Sequence, residues 1–487
     1  MGKHKITNRE LHGIEFPSDV AKSLALNIMN RHFKHTPTEE KITIIKELLA
    51  APTQYVDHHV LSGLAKKLMG KKEDEQCTSH ELENKPKAFN VVGIKHIEDA
   101  AIKQMEIAMR LPVSVSGALM PDAHPGYGLP IGGVLATRNE VIPYAVGVDI
   151  GCRMALSILD LPASYIDHNG HKLKNVLRAL THFGNDGGLE IRQVHEVLDH
   201  SLFRESDLLR KLHGKAIRQL GSSGSGNHFV EFGIVELVDG NSFGLLQGSY
   251  SAILSHSGSR SLGATIAQYF TAIAMDKCKL PKEAKQLAWL DVESDAGSEY
   301  WLSMNLAAEY AKACHDRIHE NLCNALGITV LMKVENHHNL AWKELQEDGR
   351  ECIVHRKGAT PAGLGVVGII PGSMTMPGFI VSGLGNERSL FSASHGAGRA
   401  MSRQKAKASI TASNMRKMVE AARVTLIGGS TEEAPTAYKN IDSVMKSQED
   451  LVTIEGKFYP RIVRMAKTFS GFLKASILMS VTDTMKP

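Results

Sequence analysis

Cysteine is sparse in this chain and is not organised into pairs. Six cysteines in 487 residues (Cys77, Cys152, Cys278, Cys314, Cys323, Cys352) form no CxxC motif and keep no regular spacing. That excludes a disulfide framework and fits small buried hydrophobes in a reducing cytoplasm, the expected location. No apolar run approaches the ~18 residues a membrane helix needs. The longest candidate, 472–481, is broken by Lys474 and serines, so no membrane partner is expected. The opening Met1-Gly2-Lys3-His4-Lys5-Ile6 has no charged-then-apolar leader, and Gly2 lacks the Ser or Thr that a myristoylation signal places downstream. Internal repeats, low-complexity tracts and a Walker A motif are also lacking. The glycine-serine run 221–226 is no dinucleotide fingerprint, because no acidic residue follows at the right distance in a βαβ setting. With 43% hydrophobic and 22% charged residues the chain is an ordinary globular one, large enough for one large or several ordinary domains.

The most informative stretch present is Asp149-Ile150-Gly151-Cys152, a hard carboxylate and a soft thiol three residues apart in a glycine-flanked run. Such a pair joined by imidazoles would hold a borderline divalent transition metal. Imidazoles recur in small-residue, turn-like settings: Gly226-Asn227-His228, Ser255-His256-Ser257-Gly258, Asn336-His337-His338-Asn339 and Ser394-His395-Gly396-Ala397-Gly398. Each is by itself as compatible with a buried structural histidine as with a ligand. If the segment is extended, only one of His337 and His338 can face a given site. His395 stands apart, because its neighbouring glycines leave it uncrowded and a basic stretch (Arg399, Arg403, Lys405, Lys407, Arg416, Lys417) begins at once. Read as a helix, that stretch puts Arg399 and Arg403 on one face, either as a solvated surface or as a phosphate-binding one. The 43 glycines concentrate around the histidines, where they permit tight turns or close approach of backbone to a ligand.

Two textures divide the chain. Residues 1–87 read as a helical extension and polar linker, with a helix start at Pro37-Thr38-Glu39-Glu40 and an apolar pattern through Ile42, Ile45, Leu48 and Leu49. From 88 to 487, short β-type runs (113–116, 134–136, 141–142, 154–158, 230–235) mix with helices at 262–277, 299–323 and 404–424. Strands and helices do not alternate regularly enough for a doubly wound sheet, so the expected class is α+β.

Taken together, Met120-Pro121-Asp122-Ala123-His124-Pro125-Gly126-Tyr127-Gly128-Leu129-Pro130-Ile131-Gly132-Gly133, Val148-Asp149-Ile150-Gly151-Cys152, Gly224-Ser225-Gly226-Asn227-His228, His256-Ser257-Gly258-Ser259-Arg260, His338-Asn339, Val354-His355-Arg356-Lys357-Gly358-Ala359-Thr360, Pro371-Gly372-Ser373-Met374 and His395-Gly396-Ala397-Gly398-Arg399 resemble, in order, the motifs of the RtcB family of RNA-splicing ligases. The resemblance spans about 88–467. It implies a single large catalytic domain of mixed β-sheets and surrounding helices. It also implies a GTP- and manganese-dependent ligase joining RNA 3′-phosphate or 2′,3′-cyclic-phosphate ends to 5′-hydroxyl ends, in tRNA splicing or RNA repair, by way of a histidine-GMP intermediate and an activated RNA 3′-ppG end.

Carried over by motif, Asp149, Cys152, His228, His256 and His338 would hold two Mn ions, with Cys152 bridging. His395 would be the guanylylated nucleophile and Asp122 would orient its ring. Asn227, Glu231, Ser373, Gly396, Ala397, Gly398, Tyr438 and Lys467 would form the GTP site, Glu231 reading the guanine edge. Arg260, Arg399 and Arg403 would meet RNA phosphates. Departures from the family pattern are Arg153 and Thr375, where glycine is frequent, Lys467-Thr468 in place of Lys-Gly, and the segment before 88. They bear on the choice of RNA and leave room for an activating protein partner. Two other functions remain open: a metal-dependent end-healing phosphohydrolase or cyclic phosphodiesterase, which needs the metals but not His395, and a non-catalytic RNA-binding protein.

Overall fold

The computed structural model describes residues 6–467 except 8–9, 18, 70–76, 185–188, 190 and 347–348. The opening residues, the 472–481 run and part of the linker read at 71–85 lie outside the described residues. No helix among the described residues is long and apolar enough to cross a membrane.

The N-terminal helices Asp19–His32, Thr38–Ala50 and Ser62–Leu68 bury Ala25, Met29, Ile45, Leu48 and Leu64 in a core of their own. The second starts where expected, directly after Pro37 and with Glu39 and Glu40 in its first turn. Helix Asp19–His32 rests on the long helix Asp295–Leu326 and on the Leu202–Glu205 turn, where the Ser23 hydroxyl donates to Glu205. The main body takes up the chain before residue 88: Thr78–Ser79 pairs in parallel with Cys278–Lys279, and Lys87 Nζ donates to the carbonyls of Leu111, Pro112 and Ser114.

Two mixed sheets build the rest, in accord with the α+β expectation. The larger orders its strands Val330–His337, Arg153–Pro162, Gly248–Ser257, Phe229–Leu237, Val452–Lys467, Gly378–Gly383 and Val367–Ile370, with Thr425–Gly429 parallel to the Val452–Lys467 strand. Asn336 bridges the two ends of this order, its Oδ1 accepting from Ile369 N at 2.9 Å. The smaller sheet runs Asn339–Leu345, Glu351–Lys357, Ile131–Thr137, Ser114–His124 and Asn90–Val91. A single residue, His338, separates the outermost strand of one sheet from that of the other.

Helix Asp295–Leu326 buries Tyr300, Met304, Tyr310, Cys314 and Ile318; it is capped by Ser294, which accepts from Gly297 N, and stops at Gly327 (φ +66°). Five of the six cysteines are buried and Cys77 is exposed. The helix expected over 404–424 is two helices, Arg403–Ser409 and Ala412–Ala421. Thr411 breaks it, because its hydroxyl accepts from Asn414 N (3.1 Å) and starts a second cap while Ile410 is extended and buried. Arg399 lies outside either helix and pairs instead in extended form with Tyr438.

Arg356 ties the small sheet to the short strand that ends at Ser394. It is 1% exposed. Its guanidinium donates to both Glu344 oxygens (2.6 and 3.0 Å), to Ser392 Oγ (2.8 Å) and to Leu390 O (2.9 Å). Arg356→Ala strands these acceptors and is expected to cost about 3–5 kcal/mol, read as a lower midpoint in urea denaturation; an unchanged midpoint would show that the guanidinium is not a structural tie.

Candidate metal and nucleotide centre

Antiparallel pairing brings the beginnings of two strands and the ends of two others to one edge of the large sheet. In register, Met154 faces both His256 and Asn336 across its neighbours, and Phe229 faces His256. The residues just outside or at those ends therefore converge. Cys152 precedes Arg153–Pro162, His228 precedes Phe229–Leu237, His256 closes on the end of Gly248–Ser257, and His338 follows Val330–His337. His256 is thus a strand residue rather than a turn one. His338 turns into the site, while His337 faces away with Nε2 3.1 Å from Arg153 Nη1, as extended backbone requires.

Cys152 Sγ lies 3.2 Å from His256 Nε2 and 3.4 Å from His228 Nε2, and His256 Nε2 is 3.2 Å from His338 Nε2. Asp149 Oδ2 is 3.0 Å from His228 Nε2. The turn that presents Asp149 and Cys152 needs glycine at 151: φ is +71°, and a Cβ there would meet Ala308 Cα at 2.7 Å. Gly258 leaves room for the carboxylate, since a Cβ on it would sit 2.0 Å from Asp149 Oδ1.

The donor chemistry fits a divalent ion. Burial, then the neighbouring His228, pulls His256 down to about 3, and burial pulls His338 well below the usual range, so both rings are neutral at pH 7. His256 Nδ1–H donates to Asn227 O at 3.1 Å, which fixes its Nε2 as a lone pair. Burial and then the Asp149 charge push the Cys152 thiol well up. Burial would raise Asp149 too, but the His228 ring outweighs it and holds the carboxyl below its ordinary value. Two imidazole nitrogens 3.2 Å apart beside a thiol and a carboxylate make a mixed donor set that suits a borderline divalent cation. Ligand atoms of Cys152, His228 and His256 all lie within 4.8 Å of one another.

Beside this cluster His395 follows strand Ser392–Ser394, its ring centroid 5.1 Å from that of His338. Asp122, fully buried near the end of Ser114–His124, accepts twice from it: from the backbone N at 3.1 Å and from Nδ1 at 2.7 Å. Nδ1 is thereby the proton carrier, and Nε2 is left with a lone pair. Burial works to raise Asp122, yet the His395 ring prevails and keeps the carboxyl below the carboxylate norm. Gly398 (φ +70°) lets the chain pass Asp122, whose carbonyl oxygen would lie 2.1 Å from any Cβ at that position.

Both groups open onto one cavity of about 660 Å³, which Asn227, Glu231, Ser373, Gly396, Ala397, Gly398 and Tyr438 also line. Burial pushes the Glu231 carboxyl well above its ordinary value. The Tyr438 hydroxyl donates to Glu433. Lys467 ends the last strand opposite Gly429, and its side chain lies outside the described residues.

The three arginines expected at RNA phosphates are placed differently. Arg260 is buried and does not line the cavity: at φ +58° it opens helix Arg260–Lys277 and donates to Ser222 Oγ (3.2 Å) and Gly184 O (2.6 Å). It pins the 222 loop to that helix. Arg399 and Arg403 do line the cavity, but both are paired to the buried Glu433, at 3.0 and 3.3 Å, and Arg399 also lies over the Tyr438 ring. They share this carboxylate, not a helix face.

Three participants were not singled out from sequence, although two stand inside quoted motifs. His124 Nδ1 donates to Asp122 O (3.1 Å), and the ring is drawn to about 4 by burial. Lys357, drawn to about 7 by burial, donates to Tyr127 O and to Tyr144 O (3.2 Å). Glu433 gave no sequence signal beyond its neighbour Tyr438.

Known proteins place this site in context. The sequence profile of the family described as tRNA-splicing ligase RtcB matches residues 104–466. RNA-splicing ligase RtcB of Escherichia coli K12 is 33% identical over an alignment covering 76% of this chain and 95% of its own. tRNA-splicing ligase RtcB of Nanoarchaeum equitans is 30% identical over 73% and 88%. RNA-splicing ligase RtcB homolog 1 of Entamoeba dispar is 29% identical over 74% and 81%. The ordered motifs, the cavity they assemble and these alignments coincide along the same stretch, and the chain belongs to the RtcB family of RNA-splicing ligases.

Proposed function

We propose that this protein joins RNA ends carrying a 3′-phosphate or 2′,3′-cyclic phosphate to 5′-hydroxyl ends, using GTP and manganese. The observation that carries the reading is His395, held from behind by the buried Asp122, opening onto the same cavity as the Cys152, His228, His256 and His338 cluster. Asp149, Cys152, His228, His256 and His338 would hold the Mn ions. When bound, such ions neutralise charge on phosphate oxygens during displacement at phosphorus.

The protein's own groups account for the covalent step. Asp122 holds the proton on Nδ1 and stabilises the positive charge that the His395 ring takes on as Nε2 attacks the α-phosphorus of GTP. The N–P bond forms and pyrophosphate leaves. GMP then passes to the RNA 3′-phosphate, and the 5′-hydroxyl displaces it. Glu231 is suited to guanine because that base presents two adjacent N–H donors to one carboxylate, and pairing with them offsets the cost of ionising a buried acid. Tyr438 and Ser373 would flank the nucleotide. Arg399 and Arg403, held at Glu433, would face its phosphates or those of RNA.

Intact-protein mass after incubation with GTP and Mn is expected to show one GMP adduct on the wild type and none on His395→Ala. An unmodified wild type that still opens cyclic phosphates would replace the ligase by the phosphohydrolase reading. Gly258→Ala drives a Cβ into Asp149 and should weaken Mn binding roughly 10- to 100-fold. Titration of free Mn by electron paramagnetic resonance measures this directly, and undiminished affinity would remove Asp149 from the ligand set.

A further inference from the structure

The cavity has a second region to which neither the metals nor the guanosine lay claim. At its mouth Tyr127 is 71% exposed, next to the half-buried Tyr144. An exposed ring on a slack loop would mean little. Here the backbone behind it is fastened from several sides. Gln104 clamps Gly126, donating to its carbonyl at 2.6 Å and accepting from its N at 3.0 Å. Lys357 Nζ holds the Tyr127 carbonyl and, at 3.2 Å, that of Tyr144. Gly128 then turns the chain back at φ +68°. An aromatic face presented to water by a fixed backbone loses little further entropy on stacking, which is the property of a base platform.

Its position selects which base. Lys357 precedes Gly358, where a Cβ would lie 3.2 Å from His395 Cε1. Lys357 thus ties the Tyr127 and Tyr144 backbone to the segment beside His395, whereas Tyr438 is tied to the segment after His395 through Glu433 and Arg399. Displacement at phosphorus puts the entering oxygen opposite the leaving one. With the guanosine on the Glu231 and Tyr438 part of the cavity lining, Tyr127 and Tyr144 are aromatic rings of that lining left for the entering strand.

We propose that Tyr127 stacks the first base of the 5′-hydroxyl RNA strand and so sets its 5′ oxygen in line with the activated 3′ end. This rests on the ligase reading above. In the step concerned, the bond from the 5′ oxygen to the 3′-phosphorus forms and the bond from that phosphorus to the GMP oxygen breaks. GMP leaves with the electron pair, and the hydroxyl proton passes to water.

The test is single-turnover sealing of a 3′-phosphate strand to 5′-hydroxyl strands whose first nucleotide is either adenosine or abasic, with wild type, Tyr127→Ala and Tyr127→Trp. Tyr127→Ala should seal the adenosine strand roughly tenfold more slowly and accumulate RNA-ppG, while Tyr127→Trp seals it at near the wild-type rate. The abasic strand should slow the wild type to a similar extent and slow Tyr127→Ala no further. Equal wild-type rates on the two strands, or losses that multiply in the variant, would overturn the platform. Self-guanylylation by intact mass shows that each variant is folded. Where Tyr127→Ala takes up no GMP, the wild-type comparison of the two strands decides. A wild type that takes up no GMP overturns the ligase reading and the platform with it.

Discussion

Three imidazoles and a thiol meet at one edge of the large sheet with a carboxylate beside them, and much of the fold serves to hold that meeting in place. Their nitrogen and sulfur atoms lie 3.2–3.4 Å apart, close enough that they repel or wait for a cation. Strand pairing alone does not keep such a set aligned. Behind it, Ser255 binds His315 Nδ1 (2.6 Å) and His319 Nε2 (2.7 Å), and Ser157 binds the other nitrogen of His319 (2.7 Å). Both histidines come from helix Asp295–Leu326, and burial draws His319 to about 3, so the ties are between neutral groups. The helix thereby fastens the strands bearing Cys152 and His256 from the rear.

The second constraint is the joint between the two sheets. His338 occupies the single position between them, so the Cys152–His256–His338 cluster and the small sheet that carries Asp122 are joined through one residue. His395 reaches the same place by another route, through Ser392–Ser394, which Arg356 secures. Asp122 then closes the circuit by accepting both from the backbone and from the ring of His395. An imidazole held through its backbone N and its Nδ1 by one carboxylate oxygen needs little reorganisation to present Nε2 to the cavity. In the same cavity Glu433 performs a related task for cations, gathering Arg399, Arg403 and Tyr438.

Much of this was legible in the chain. The α+β class, the helical character of the N-terminal segment, the start at Thr38 and the positions of the main strands follow from local patterning. The alternative facing of His337 and His338 follows from the geometry of extended backbone. Other readings failed, one to a local cap and one to the fold. A helix through 404–424 was expected from composition, but the Thr411 hydroxyl competes for backbone and splits it. Arg260 looks like a phosphate donor beside His256, yet the fold buries it against Ser222 and Gly184.

The sequence by itself determined the inventory: which donors exist, in what order, and that glycines stand where a Cβ could not. Those properties are covalent or local, and composition and spacing record them. Tertiary structure decided which donors share a point and which cations are already taken. Asp122 and His395 are 273 positions apart, and their contact depends on sheet register and on the joint at His338, which no local pattern encodes. Glu433 shows the same limit, because its pairing with Arg399 and Arg403 is set by the folded path of the chain around the cavity and by burial that leaves a carboxylate no water to face.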